Sequence, residues 1–160
     1  MKFSFSMSYD AAPDRVYAML GEPEFREQVC AAGYAVRHNV SLTHSGTGMT
    51  VVMDQYLPTR GIPPVAAKFV GEELHIVQTE EWSGPEGASL DIAIPGKPGW
   101  VKGAITLAAA GSRTVETITG EVKINVPLVG GKLEKMIEQV IEAAMRNEER
   151  VGHSWLDGDR

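Results

Sequence analysis

Three ionisable side chains fall in phase with apolar neighbours, where a side chain able to move a proton would matter. His38 lies between Val36 and Val40, Glu80 between Gln78 and Trp82, and Glu148 interrupts a helical stripe between Ala144 and Val151. Histidine changes charge near neutral pH, so His38 reads either as a core-edge histidine with a satisfied hydrogen bond or as an acid or base in a pocket. Glu80 reads as a rim carboxylate turned outward by strand curvature, or as an inward one. If inward, burial raises its pKa unless a cation stands close. A lone buried carboxylate is costly, so Glu148 either reaches a rim or faces a solvated cavity.

Other chemistries are absent from the text of the chain. There is no Gly-x-Ser-x-Gly elbow, no phosphate-binding loop and no His-Glu-x-x-His. Gly46-Thr47-Gly48 is too short for a dinucleotide loop and precedes a strand. The four histidines, at 38, 44, 75 and 153, are too dispersed to predict a metal site. No catalytic residue, metal or cofactor is assigned. Cys30 is the only cysteine, which excludes an intrachain disulfide and suits the cytoplasm. It reads as a small buried helix residue rather than a reactive thiol.

The elements that must position these groups follow from periodicity. Phe3, Phe5, Met7 and Tyr9 alternate with serines, a half-buried strand. Pro13 and Asp14 then open a short helix that Gly21 can end, and Pro23 opens another ending near Gly33. From residue 34 to about 126 the pattern is of strands joined by turns rich in Gly and Pro, consistent with an antiparallel meander. Pro58 to Pro64 breaks that pattern, and Val65 to Val70 reads as a short helical piece. The segment from Pro58 to Val70 is expected to act as a gate. After Pro127-Leu128-Val129-Gly130-Gly131, apolar residues recur at steps of three and four from Leu133 to Trp155, one long helix with a single stripe. Only the inner face of the sheet offers enough apolar surface to receive it.

The chain has 160 residues, 43% apolar and 22% charged, which bounds it to one globular domain over 1–160. A net charge of −6 with scattered cations argues against a nucleic-acid partner. No apolar run approaches the roughly 18 residues of a membrane span, so no integral membrane association is expected. The alternating N-terminus does not read as a signal peptide.

The order of strand, two short helices, six strands and a long helix resembles the helix-grip fold of the START-related superfamily. That superfamily includes birch-pollen-allergen-like proteins, polyketide cyclases and lipid-transfer domains. Ala12-Pro13-Asp14-Arg15-Val16-Tyr17 is similar to its Ala-Pro-x-x-Val-aromatic start. Glu80-Glu81-Trp82 and the segment from Val126 to Glu134 resemble a bacterial family of unknown function within it. The resemblance implies an α+β fold, in which a curved seven-stranded antiparallel sheet wraps the long C-terminal helix, with two short helices after the first strand. It also implies a cavity between helix and sheet. The residues expected to line a ligand there are His38, Met53, Gln78, Glu80, Trp82, Met136, Val140, Ala144 and Glu148. Three functions compete: binding or transport of a hydrophobic or amphipathic small molecule such as a lipid or polyketide-like compound; a cofactor-free cyclase, aromatase or dehydratase; and an interaction domain without a ligand.

Overall fold

Strand β1 (Lys2–Tyr9) leads into helices α1 (Pro13–Leu20) and α2 (Pro23–Ala32) in the computed structural model, which describes residues 1–60 and 62–158. Strands β2 (Arg37–Ser45) and β3 (Gly48–Pro58) follow, then helix α3 (Pro64–Val70). Strands β4 (Glu73–Gly84), β5 (Gly87–Ala93), β6 (Gly99–Ala110) and β7 (Arg113–Ile124) precede helix α4 (Gly130–Leu156). The seven strands form one antiparallel sheet in the order β1-β7-β6-β5-β4-β3-β2. The chain is an α+β helix-grip protein.

Local chemistry accounts for the short helices. Each begins with proline in its first turn, where the missing N–H costs nothing, and an acidic residue follows in α1 and α2. The turns between strands use glycine at positive φ, at Gly46, Gly96 and Gly111. Of the expected gate, Pro64–Val70 is helix, and Gly61 lies outside the described residues.

Along β4 the inward phase carries Leu74, Ile76, Gln78, Glu80 and Trp82, and along β7 it carries Thr114, Glu116, Ile118, Val122 and Ile124. The face of α4 that meets the sheet carries Leu133, Met136, Ile137, Ile141 and Met145. Its far end is seated by rings: Trp155 meets Phe25 of α2 edge-on, with centroids 5.6 Å apart. No helix among the described residues is long and apolar enough to cross a membrane.

Candidate functional site

Arg26, on α2, has no exposed surface. It shares a helix face with Val29 and Cys30, three and four residues on, and that face packs toward α4. Its Nε donates to the carbonyl of Leu20 at the end of α1 at 2.8 Å, using a carbonyl the helix itself leaves open. Its Nη1 and Nη2 donate to the two carboxylate oxygens of Glu80 at 3.1 and 2.8 Å, a bidentate fork.

Glu80 is inward and saturated. Besides the fork it accepts hydrogen bonds from Gln78 Nε2 and Trp82 Nε1, each at 2.8 Å. Both donors sit two residues away on the same face of β4, so the strand's own alternation assembles them. Burial alone would raise the carboxyl's pKa, but Arg26 and these hydrogen bonds hold it below its ordinary value. The same pairing raises Arg26 despite the opposing effect of burial.

Two further carboxyls approach this pair without joining it. Glu148 Oε2 lies 3.8 Å from Arg26 Nη1. Burial pushes its pKa up to about 7, with Arg26 pulling the other way and Glu80 adding to the rise. Glu116, on β7, is 2% exposed, and its Oε2 has no hydrogen-bond partner among the described residues. Burial, then Glu148 and Glu80, raise its pKa well above the usual carboxylate range. Burial and the neighbouring carboxylates thus favour its protonated form.

The carboxyls of Glu80, Glu116 and Glu148 stand on the wall of a cavity of about 410 Å³ between α4 and the sheet. That volume falls in the range of small-molecule sites. The sheet contributes Met53, Gln55 and Leu57 from β3, Ile76, Gln78 and Glu80 from β4, Leu90 and Ile92 from β5, and Glu116 and Ile118 from β7. Helix α4 contributes Met136, Val140, Ala144 and Glu148 among others. The rim includes the exposed Tyr34 and Arg150 and the half-buried Thr59. Ala143 and Ala144 are exposed because α4 carries only methyl groups where the cavity opens.

Seven of the expected lining residues meet on this wall: Met53, Gln78, Glu80, Met136, Val140, Ala144 and Glu148. His38 and Trp82 lie elsewhere on the sheet. His38 stands on β2, one of the two edge strands, where α2 covers it, and its Nε2 is 2.6 Å from Glu27 Oε2. Trp82 lies where α1 covers the sheet, its ring 5.5 Å from that of Tyr17, and its N–H is committed to Glu80. Periodicity alone singled out neither Arg26 nor Glu116. Signals were present: Arg26 is in helical phase with Cys30, and Glu116 alternates with Ile118 and Val122. Cys30 is buried, and burial followed by Glu27 pushes its thiol up to about 12, so it is inert at neutral pH. Among the described residues no cluster of His, Cys, Asp or Glu is placed to hold a metal.

The fold is shared with solved structures of low sequence identity. TTHA0849 from Thermus thermophilus superposes with a TM-score of 0.66 at 15% identity, covering 95% of this chain and 97% of that one. The di-domain ARO/CYC StfQ of the steffimycin biosynthetic pathway gives 0.67 at 12% identity, over 96% of this chain and 50% of the other. Ara h 8.0201 gives 0.58 at 13% identity, over 96% and 98%. These structures share the helix-grip architecture of this chain. The chain belongs to the family described as Protein of unknown function (DUF2505), whose model matches residues 4–156. No curated protein matches the sequence.

Proposed function

We propose that this protein binds a hydrophobic or amphipathic small molecule, such as a lipid or polyketide-like compound, in the cavity between α4 and the sheet, and serves as its cytoplasmic carrier. One observation carries the reading: a cavity of about 410 Å³ is walled mainly by aliphatic side chains and has ionisable carboxyls set into that wall. An apolar wall with a few placed polar groups is the usual form of a small-molecule site. An interaction domain with a filled core has no use for such a space. The folds of the neighbours agree with the reading and assign no ligand.

A second reading has its own support. Glu148, with a pKa raised to about 7, is poised for general acid–base work at neutral pH, which favours a cofactor-free cyclase or dehydratase.

Native mass spectrometry of protein purified from its own host, followed by Nile red titration of the delipidated protein, tests the binding reading. A copurifying apolar compound and saturable micromolar dye binding are expected. Absence of both would remove it.

A further inference from the structure

Among the described residues, Glu116 is the member of the carboxyl cluster with a fully buried oxygen that has no hydrogen-bond partner. Arg26 spends its fork on Glu80 and its Nε on Leu20. Glu80 accepts four hydrogen bonds. Glu116 is 2% exposed, lines the cavity, and keeps Oε2 without a partner. A buried polar group left in that state costs more than a made hydrogen bond returns, so a partner from the cavity is strongly favoured.

The charges around Glu116 decide what that partner is. Facing it are Glu148 and Glu149 of α4, Glu80 of β4, Arg26 of α2 and Tyr9 of β1. Arg26, the guanidinium beside Glu116, is already paired, so among the described residues no cation at the inner wall is free to receive an anionic head group. In its protonated form the Glu116 carboxyl donates one hydrogen bond to an oxygen acceptor.

Resting on the binding function proposed above, we infer that the cavity takes a neutral apolar molecule with a carbonyl or hydroxyl oxygen at its buried end, held by the Glu116 carboxyl, and discriminates against fatty-acid anions. The oxygen accepts the Glu116 proton, and the apolar body lies along Ile118, Ile92 and Ile141. A carboxylate of the same length would stand among like charges in a low-dielectric wall.

Displacement of Nile red by four probes of one chain length, decane, decan-2-one, decanoate and decylamine, tests this at pH 6 and pH 8. Decan-2-one should bind on the order of tenfold more tightly than decane, the worth of one buried hydrogen bond. Decanoate at pH 8 should bind at least about tenfold more weakly than the ketone. Glu116→Leu should bind decane as the wild type does and lose the preference for the ketone. Glu116→Gln, which keeps an N–H donor, should retain that preference. Equal binding of ketone and decane, decanoate as tight as the ketone, or decylamine tightest of all overturns the inference while leaving a binding cavity in place. If neither Nile red nor any probe binds, the carrier function fails and this inference with it.

Discussion

Glu148 Oε2 stands 3.8 Å from Arg26 Nη1, outside hydrogen-bonding reach, while Glu80 Oε2 stands 2.8 Å from Arg26 Nη2. One arginine thus faces two carboxyls and grips only one. The gripped carboxyl ionises more readily than usual, and the other holds its proton.

Stability should therefore fall as pH rises through the Glu148 titration. The folded-state pKa of about 7 lies above the ordinary 4.5, so the folded protein keeps a proton that the unfolded chain releases. This contribution is complete below about pH 4.5 and is lost on the way to about pH 7. It amounts to at most about 3 kcal/mol. Glu116 acts with the same sign, whereas Glu80, with its lowered pKa, contributes above its unfolded value and is lost on acidification. Urea denaturation from pH 5 to pH 8 should show a shallower decline for Glu148→Gln than for the wild type. Parallel profiles would mean that Glu148 is ionised throughout.

Breaking the gripped pair should be expensive. Glu80→Leu strands a fully buried guanidinium, for about 3–5 kcal/mol, and Arg26→Met strands a carboxylate that then protonates. The double variant Arg26→Met/Glu80→Leu should cost much less than the sum of the two single changes. A double-mutant cycle by urea unfolding measures the coupling, and strict additivity would contradict it.

The methyl groups at the cavity opening should be replaceable at little cost to the fold. Ala144 is exposed and lines the cavity, so Ala144→Phe fills space rather than displacing packed atoms. Its effect on stability should stay within about 0.5 kcal/mol, as for ordinary surface changes. Nile red affinity should drop severalfold or more. Unchanged dye binding would place the entrance elsewhere.

Gly152 is a contrasting position on the same helix. A Cβ there presses on the Tyr9 ring and lies 3.2 Å from Met19 Cε. Tyr9 is fully buried and its ring packs edge-on against His153, so it has little room to yield. Gly152→Ala should lower stability by about 1–3 kcal/mol in thermal or chemical unfolding, despite alanine's better helix propensity. A stabilised variant would mean that Tyr9 repacks freely.

How legible the site was follows from where its parts sit in the chain. Alternation on β4 placed Glu80 inward beside Gln78 and Trp82, because strand phase is a local property. The stripe on α4 placed Met136, Val140 and Ala144 toward the sheet for the same reason. What alternation cannot supply is the partner. Arg26 is 54 residues from Glu80, and the contact depends on how α2 sits over β4. On α2 an arginine beside Phe25 looks like a solvated cation until the burial of that face is known. At His38 and Trp82, α2 and α1, rather than α4, cover the inner surface. Periodicity reports which side of a sheet a residue occupies. It does not report which helix covers that part of the sheet.

The pairing of β1 with β7 sets the order in which this molecule can be made. Phe3 lies opposite Gly120 and Ser8 opposite Val115, so the first strand completes the sheet only against the last. Strands β2 to β7 follow one another as neighbours and can zip sequentially as they leave the ribosome, but β1 must wait with Phe3, Phe5 and Met7 unsheltered. That seam is the longest loop closure in the sheet and bears its largest entropic cost. During synthesis an apolar strand with two free edges precedes its partner by more than a hundred residues. Between the synthesis of β1 and that of β7, the nascent chain thus offers a binding segment to chaperones, and to other copies of itself.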